Sequence, residues 1–498
     1  MTQLERHFQT FRKNTIGVDA RFESPYGSQP IVYADWTASG RLYAPIERRL
    51  SETFGPFVAN THSESNTTGG TMTQAYHTAQ RIIKEHVGAG PEDVIILSGA
   101  GMTSAVNKFQ RILGLRVVEQ MLPFLQIPDA ARPLVFVSHM EHHSNQTSWL
   151  ETIADVEVVP PDEHGRVCPD QLEALLKTHS HRALKIGAFT GCSNVTGICT
   201  PVHELAKLMH LHGGLCFVDF AASAPYVHIN MRPADPMQKL DAVFFSPHKF
   251  LGGPGTPGVL IFDRALYSLR VPDQPGGGTV NWTNPWGQYS FLDDIEARED
   301  AGTPGFLQTI KAALAVQLKD QMGVEAMRQR EAAIVPHGID ALQAIAGVRL
   351  LAPTQRNRLP ILSFYVEGIH YNLIVQLLND RFGVQARGGC SCAGTYGHYL
   401  LHVDPSQSRS ITERIDHGDL SQKPGWVRLS FHPSTTMADI DHSIRAVGEI
   451  VANVGEWEKD YVYSPISNEF AHRAGDDGAA LARVKGWFEL GAREIREP

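Results

Sequence analysis

Short apolar runs alternate along the first two thirds of the chain with longer segments of helical periodicity. A run of four to six apolar residues bounded by polar ones is typical of a buried strand. The predicted strands of this kind are residues 94–98, 134–138, 156–159, 184–189, 215–219, 242–245 and 259–262. Between two of them, Val202, Leu205, Leu208 and Met209 follow a helical period. The alternation predicts a mostly parallel sheet that is covered by helices on both faces.

The remaining third of the chain has a different pattern. It predicts a long helical region over residues 304–345, followed by further elements: strands at 361–366 and 427–431, and helices at 370–381 and 436–453. Residues 1–30 are predicted as mixed helix and loop, and residues 31–40 as a short strand that runs into a polar turn. We therefore expect a large α/β domain over residues 31–320 and a smaller α+β domain from residues 1–30 and 321–455. The charged and aromatic residues 456–498 are expected to be an extension without an assigned role.

Length and composition narrow the class of protein. With 498 residues, the chain exceeds one ordinary domain, and its 42% apolar and 19% charged residues are typical of a globular protein. A net charge of −9 disfavours nucleic acids and anionic membranes as partners. Since no run of about 18 apolar residues occurs, we expect no membrane span. The first residues lack an apolar signal core, so we predict a cytoplasmic protein.

The six cysteines are too few in so long a chain to form a disulfide framework. Four of them are scattered, and we predict that they are buried thiols: Cys168, Cys192, Cys199 and Cys216. Cys390 and Cys392 form a Cys-x-Cys pair on a glycine-rich loop. This pair is either structural, metal-binding or nucleophilic, but without a second pair a metal site is disfavoured and we predict none.

Lys249 is the central candidate for chemistry. The segment Ser-Pro-His-Lys at residues 246–249 follows the predicted strand 242–245 and precedes a loop rich in glycine and proline. In such surroundings a lysine can be desolvated, its pKa lowered and its amine made nucleophilic. The alternative is a solvated lysine at the end of a strand.

Other polar residues also follow predicted strands, and ligands of parallel sheets bind beyond the carboxyl ends of strands. Gly101 to Thr103 open a helix whose N–H groups suit a phosphate, unless they are a simple cap. Asp219 ends a strand, where it could equally be a turn residue.

His142 and His143 follow another strand. The alternative interpretations are a surface loop or a metal site, but adjacent histidines are poorly spaced for binding one metal ion. A polar loop at residues 63–70 is either functional or a connector.

The Ser-x-His-Lys segment with its glycine-rich turn resembles the cofactor-lysine segment of the cysteine desulfurases. These are class V, fold-type I enzymes that depend on pyridoxal phosphate (PLP). The resemblance implies an α/β fold-type I PLP-dependent transferase in which Lys249 holds PLP as a Schiff base. It further implies that Ser246 and His248 lie near the phosphate and the lysine, and that Thr103 binds the phosphate.

Three more segments of the large domain resemble the same family. Glu-His-His-Ser-Asn at residues 141–145 implies that His142 stacks on the cofactor ring as a catalytic residue. The turn Ser-Asn-Val-Thr-Gly implies that Asn194 hydrogen-bonds the phenolic oxygen. Asp219 would keep the pyridine nitrogen protonated. Asp-Phe-Ala-Ala at 219–222 departs from the family, because it lacks the usual glutamine or histidine and looks closer to the molybdenum-cofactor sulfurases.

The resemblance continues into the second part of the chain. Glu-Asp-Ala-Gly-Thr-Pro at residues 299–304 implies that Thr303 reaches the phosphate of a neighbouring subunit, and therefore a homodimer. Cys392 stands five residues after Arg387, as the persulfide cysteine of the family does. Arg428 and Arg387 would bind the substrate, since a guanidinium matches a carboxylate in a bidentate way.

These likenesses imply a cysteine desulfurase that moves the sulfur of L-cysteine to Cys392 as a persulfide and releases alanine. A sulfur-acceptor protein is a possible partner. One alternative is a PLP-dependent C–S or C–Se lyase, or an enzyme like isopenicillin-N epimerase, in which Cys392 is not catalytic. A scaffold without activity is disfavoured because Lys249, Asp219 and Arg428 are all present.

Overall fold

The protein is described by a computed structural model that covers residues 2–61, 64–475 and 477–490. Its first elements are α1 (Gln3–Arg12), β1 (Arg21–Ser24), β2 (Gly27–Pro30) and β3 (Val32–Tyr33). The β1–β2 hairpin lies where the sequence predicted only helix and loop. Isolated two-stranded hairpins are only marginally stable, so contacts with the rest of the protein decide whether this hairpin forms. Here Ser24 Oγ donates to the backbone oxygen of Asp380 at 2.7 Å, a contact that no local pattern reveals.

Helices and strands alternate over the next part of the chain. The strands are β4 (Asp93–Ser98), β5 (Leu134–Ser138), β6 (Asp155–Val159), β7 (Lys185–Thr190), β8 (Leu215–Asp219), β9 (Ala242–Phe245), β10 (Gly258–Asp263), β11 (Val280–Thr283) and β12 (Tyr289–Phe291). The helices are α2 (Ala44–Arg48), α3 (Thr67–His86), α4 (Met102–Ile112), α5 (His143–Leu150), α6 (Pro169–Thr178), α7 (Val202–Leu211), α8 (Ile295–Arg298) and α9 (Phe306–Met322). Helix α3 begins inside the predicted polar loop 63–70, of which Ser63 lies outside the described residues.

One seven-stranded sheet organises this region, in the order β4-β10-β9-β8-β7-β5-β6. Strands β5 to β9 pair in parallel, whereas β10 runs antiparallel to both β9 and β4. All seven apolar runs that predicted strands are strands of this sheet. Phe136 packs into one buried cluster, while its neighbours Val135 and Val137 pack into another on the opposite face. The prediction of a mostly parallel α/β sheet buried on both sides is therefore confirmed.

The rest of the chain forms a second sheet with its own helices. Its elements are α10 (Val324–Gln343), β13 (Val348–Leu350), β14 (Ile361–Val366), α11 (Tyr371–Phe382), β15 (Val384–Gln385), β16 (Arg387–Gly389), α12 (Gly394–Leu400), α13 (Pro405–Asp416), β17 (Trp426–Ser430) and α14 (Met437–Trp457). The sheet has the order β13-β14-β17-β16 and a separate hydrophobic core, whereas β15 pairs in parallel with β3. The predicted helical region 304–345 is two helices, because Gly323 adopts a φ of +78° between α9 and α10. We propose the domain boundaries near residues 30, 320 and 455, although the two cores do not divide at residue 30: Phe8 of α1 packs into the core of the large sheet and Ala34 into the second core.

The predicted extension contains regular structure that the sequence pattern did not indicate. A hairpin of β18 (Tyr461–Ser464) and β19 (Glu469–His472) is followed by α15 (Asp477–Gly486). Residues 491–498 of the extension lie outside the described residues. Within the described ranges, no helix has the length and apolar character needed to span a bilayer.

A buried lysine of α9 binds the backbone of the loop that follows β8. Lys319 of α9 is completely buried, and burial lowers its pKa to about 7. Its Nζ donates to the backbone oxygens of Ala224 at 2.7 Å and Val227 at 2.5 Å. Both carbonyls belong to the loop that follows β8, so one side chain anchors this loop to α9.

Replacing Lys319 with methionine should therefore destabilise the protein. Methionine has a similar length but cannot donate, and each buried carbonyl left unpaired costs about 1–3 kcal/mol. We expect the free energy of unfolding in urea to fall by roughly 2–4 kcal/mol. Lys177→Met on the exposed face of α6 is the control and should change it by less than about 0.5 kcal/mol. An equal decrease in the free energy of unfolding in the two variants would contradict the anchoring role of Lys319.

Candidate active site

A cavity of about 400 Å³ lies beyond the carboxyl ends of the central strands. We call it the central cavity. It brings together ten of the predicted site residues: Thr103, His142, Asn194, Asp219, Ser246, His248, Lys249, Arg387, Cys392 and Arg428. They come from both sheets and from loops separated by more than three hundred residues in sequence. Parallel strands whose carboxyl ends meet at one edge explain why the residues from the large sheet converge.

Lys249 lies in a single 3-10 turn, Pro247–Lys249, directly after β9. Burial lowers the pKa of its amine to about 8, although the nearby Asp219 carboxylate acts in the opposite direction. The glycine-rich loop closes tightly over this turn: a Cβ on Gly253 would lie 1.8 Å from the backbone oxygen of Pro247. Only glycine fits there, which is why the loop after the lysine needs this composition. At pH 7 about a tenth of the Lys249 amine is therefore unprotonated, far more than for a lysine in water.

Asp219 ends β8 and is almost fully buried at the cavity wall. Its Oδ1 accepts the N–H of Ala221 at 2.8 Å, but desolvation dominates and raises its pKa to about 6. Above that pH the cavity therefore holds a buried carboxylate opposite a lysine. Such a carboxylate favours a cationic partner, such as a protonated ring nitrogen.

Replacing Asp219 with asparagine should stabilise the cofactor-free protein while impairing its site. The pKa of Asp219 is higher in the folded than in the unfolded chain. Ionisation of this carboxyl therefore lowers the free energy of unfolding of the wild-type protein as the pH rises from 3.8 to about 6. Asparagine does not ionise, so the free energy of unfolding of the variant should exceed that of wild type by roughly 1–3 kcal/mol above pH 6 and should equal it below pH 3.8. Thermal unfolding across this range measures the difference. A variant less stable than wild type at pH 7 would contradict it.

A second buried carboxyl lies behind Asp219, and the sequence did not single it out. Glu141 accepts from the hydroxyl of Ser138 at 2.5 Å, from the N–H of Thr190 at 2.8 Å and from the amide of Asn145 at 2.8 Å. Burial raises its pKa to about 8. These bonds join the ends of β5 and β7 to the start of α5, so Glu141 positions the elements that carry the site. The Glu-His-His-Ser-Asn segment was its only sequence signal.

His142 is the N-cap residue of α5, and this role orients its ring at the cavity. Its Nδ1 accepts the N–H of Ser144 at 3.1 Å. Burial, and then the nearby Lys249, lower its pKa to about 3, so the ring is neutral at physiological pH. A neutral imidazole held in this way offers an apolar face for stacking. The cap and the predicted role of His142 are compatible.

The beginning of α4 forms the opposite end of the cavity. Ser246 Oγ accepts the N–H of Met102 at 2.9 Å, and Thr103 Oγ1 lies 2.7 Å from the hydroxyl of Ser144. A Cβ on Gly101 would lie 3.2 Å from Ser246 Oγ and 3.6 Å from His248 Nε2. Burial lowers the pKa of His248 to about 4. The helix N-terminus, two hydroxyls and the space left by Gly101 make this end suitable for an anion.

Arg428 is the buried guanidinium of the cavity, and its partners were only partly foreseeable. Its Nη2 donates to Asp35 Oδ1 at 2.6 Å, and its Nη1 donates to the backbone oxygen of Asn194 at 3.0 Å. Its Nε is buried without a partner among the described residues. Asp35 lies in the strand-to-turn segment 31–40, and sequence reasoning did not connect it with Arg428. Arg387, by contrast, is exposed at the cavity mouth.

Cys392 lies on a loop that the structure holds by its backbone. The oxygen of Ser391 accepts from Asn194 Nδ2 at 2.7 Å, and the oxygen of Cys392 accepts from the N–H of His143 at 2.7 Å. Ser391 and Cys392 both have positive φ, 52° and 55°, which is costly for residues other than glycine and is typical of functional sites. Cys390 does not line the cavity and packs against the large hydrophobic core instead.

Thr303 is the one predicted site residue that lies outside the central cavity. It is exposed, and its Oγ1 is 3.5 Å from Asn60 Nδ2. A single chain therefore does not bring Thr303 to the other predicted residues. Its predicted role depends on a second copy of the chain.

Comparison with known proteins places the chain in a family. The sequence profile of the aminotransferase class-V family matches residues 32–442. A cysteine desulfurase from Synechococcus elongatus is 28% identical over 370 residues, which are 73% of this chain but only 55% of that protein. A probable cysteine desulfurase from Halalkalibacterium halodurans is 26% identical over 73% of this chain and 84% of its own length.

Solved structures show the same fold. The apo structure of a cysteine desulfurase from Thermococcus onnurineus NA1 superposes with a TM-score of 0.71 at 20% identity, covering 89% of this chain and 98% of that one. The cysteine desulfurase CsdA from Escherichia coli superposes with a TM-score of 0.69 at 22% identity over the same shares. The fold is therefore that of the fold-type I enzymes, and with the profile match over most of its length the chain belongs to the aminotransferase class-V family.

Proposed function

We propose that this protein is a PLP-dependent cysteine desulfurase that transfers the sulfur of L-cysteine to Cys392 and releases alanine. The observation that carries the proposal is the central cavity, where a lysine of lowered pKa faces a buried aspartate and shares the space with a cysteine and two arginines. The curated relatives are named as cysteine desulfurases, which supports the same reaction. An enzyme of this family is also what the family assignment implies.

The residues of the cavity fit the cofactor. Thr103, Ser246 and the start of α4 would hold the phosphate, in the space that Gly101 leaves open. Asp219 would pair with the pyridine nitrogen, and Asn194, whose Oδ1 is buried without a described partner, would lie near the phenolic oxygen. When bound, PLP supplies a ring that withdraws electrons from the substrate Cα. His142 would cover the face of the ring.

Lys249 and Asp219 have separate acid–base roles in the proposed reaction. The pKa of Lys249, about 8, leaves its Nζ able to attach the cofactor and then to take the Cα proton from the substrate. Asp219 stays ionised above pH 6 and stabilises positive charge on the ring. The two groups therefore have pKa values that suit their separate roles at neutral pH.

The arginines and Cys392 act on the two ends of the substrate. Arg428 and Arg387 would hold the carboxylate of L-cysteine, with Asp35 fixing the plane of the Arg428 guanidinium. The Cys392 thiolate then forms an S–S bond with the substrate sulfur while the Cβ–S bond breaks, and a proton completes alanine. The persulfide would pass to a sulfur-acceptor protein.

We also propose a homodimer, because Thr303 is exposed away from its own cavity. In such a dimer its hydroxyl would reach the phosphate bound by the partner subunit. Thr303→Ala should weaken PLP binding by about 10- to 100-fold, the value of one hydrogen bond to a charged group. Thr412→Ala on exposed α13 is the control. Light scattering should give a mass of two chains, and a fully active monomer would contradict the proposal.

The products formed from L-cysteine test the reaction. With a thiol reductant, a desulfurase should release alanine and sulfide in equal amounts. The alternative, a C–S lyase, would instead release pyruvate, sulfide and ammonia, and an epimerase would release none of these. Pyruvate in amounts equal to sulfide would overturn the desulfurase proposal.

A further inference from the structure

Two cysteines outside the proposed chemistry, Cys192 and Cys199, face each other, and Cys192 lines the central cavity. Cys192 and Cys199 form an antiparallel bridge across the turn that carries Asn194. The N–H of Ser193 donates to the oxygen of Ile198 at 2.9 Å, and the N–H of Thr200 donates to the oxygen of Gly191 at 3.1 Å. Hydrogen bonds on both sides of the bridge, rather than within it, make Cys192 and Cys199 a non-hydrogen-bonded pair.

This pairing has the dimensions that a disulfide needs. Directly opposed residues in a non-hydrogen-bonded pair have Cα atoms about 4.5 Å apart, and disulfides span about 4.4–6.8 Å. Both cysteines are free thiols here. Each thiol donates to a backbone oxygen of the turn, Cys192 to that of Ser193 at 3.6 Å and Cys199 to that of Gly197 at 3.9 Å. A disulfide can therefore form without a change of register.

The two thiols differ in a way that suits thiol–disulfide exchange. Cys199 is exposed, contrary to the prediction that it is buried. The interaction with the neighbouring Cys192 lowers the pKa of the Cys199 thiol, which favours its thiolate. Cys192 is buried and lines the central cavity, and burial raises its pKa. Cys199 is thus the attacking thiol and Cys192 the resolving one.

A buried cation beside the pair supports reactivity. Arg358 is almost fully buried, and its Nε and Nη2 have no hydrogen-bond partner among the residues that the structure covers. Its charge lowers the pKa of Cys192, against the stronger effect of burial. Glu331 acts in the opposite direction, but burial raises its own pKa, which favours its neutral form. The guanidinium can therefore stabilise the Cys192 thiolate during exchange.

We propose that Cys192 and Cys199 form a reversible disulfide that switches the active site in response to low-molecular-weight disulfides. The Cys199 thiolate attacks the small disulfide, forms a mixed disulfide and releases one thiolate. Cys192 then gives up its proton and attacks the Cys199 sulfur, which forms the protein disulfide and releases the second thiolate. Two protein thiols are oxidised, and one small disulfide is reduced to two thiols.

The disulfide acts on the site through the turn. Opposed Cβ atoms, about 4.5–5.5 Å apart in such pairs, must approach to about 3.8 Å. This draws together the base of the turn whose Asn194 contacts both Arg428 and the backbone of Ser391. Displacing catalytic groups by about 1 Å can cost up to 100-fold in rate, and we expect kcat/KM for L-cysteine to fall about tenfold. This activity effect rests on the proposed desulfurase function.

The test uses the PLP-loaded enzyme incubated with oxidised glutathione. Both cysteines lie in one tryptic peptide, residues 186–207, which should become lighter by two hydrogen atoms and return to its reduced mass with a reductant. Cys199→Ser should leave basal kcat/KM unchanged and lose the oxidant-dependent decrease, whereas Cys168→Ser should behave like wild type. Inhibition that persists in Cys199→Ser would come from another thiol, such as Cys392.

Formation of the disulfide and its effect on activity are tested by separate measurements. An unchanged peptide mass at glutathione ratios that oxidise Cys392 would overturn the disulfide. A disulfide that forms while kcat/KM changes less than twofold would overturn the switch. The mass measurement needs no desulfurase activity, so failure of the proposed function would be recognised independently.

Discussion

Replacing Lys249 with alanine should abolish sulfide release from L-cysteine, with a loss of roughly 10³-fold or more for the proton transfer alone. Alanine removes the amine that attaches the cofactor and moves the Cα proton. Wild-type protein should be yellow, and borohydride should fix the cofactor covalently to the tryptic peptide that contains Lys249. The variant should lose both the trapped adduct and the activity.

Lys249→Arg sharpens this test because it keeps a cation in the cavity. An arginine stays protonated at all accessible pH values and therefore cannot replace a free amine. We expect it to be as inactive as the alanine variant. If either variant retained wild-type sulfide release, or if borohydride labelled another lysine, the assignment of Lys249 would be wrong.

Replacing Cys392 with serine should separate sulfur transfer from the earlier steps. The serine hydroxyl is far less nucleophilic than a thiolate. We expect sulfide release with a reductant to fall at least about 100-fold, equivalent to about 2.7 kcal/mol of transition-state stabilisation. Cofactor content and the spectral change on adding L-cysteine should remain, because Lys249, Asp219 and the arginines are intact.

Cys390→Ser is the matched control, since it changes the same atom two residues away. Cys390 packs against the core and does not line the cavity, so its loss should alter sulfide release less than about threefold, under 1 kcal/mol. Wild-type activity in Cys392→Ser would favour the lyase or epimerase alternatives. Equal losses in both variants would instead indicate that the two thiols act together, as in a persulfide relay.

Several features of the site could be anticipated only in part. The resemblance to the desulfurases selected residues that the structure brings together in one cavity, but it named no partner of Arg428 within the chain. In the structure Asp35 and the backbone of Asn194 already engage this guanidinium. Glu141 was overlooked because a single buried carboxyl has no sequence period that distinguishes it from an exposed one.

The two largest gaps have the same physical origin. Thr303 lies outside the cavity of its own chain, so its predicted role requires contacts between chains. The pairing of Cys192 with Cys199 depends on the register of a turn, which places the two thiols together although four scattered cysteines were predicted to be buried separately. Intermolecular contacts do not follow from local residue patterns, and the pairing of the two cysteines follows only once the geometry of the turn between them is known.

The sequence by itself determined the central sheet, because a buried parallel strand needs a continuous apolar run that is visible residue by residue. It also determined that Lys249 and Asp219 stand at strand ends, where polar groups of such sheets converge. The tertiary structure alone decided which groups meet across long separations. Examples are Arg428 with Asp35, and Asn194 with the backbone of the Cys392 loop. These contacts depend on how the two sheets approach each other, and side-chain partners over such distances leave no periodic signal in the chain.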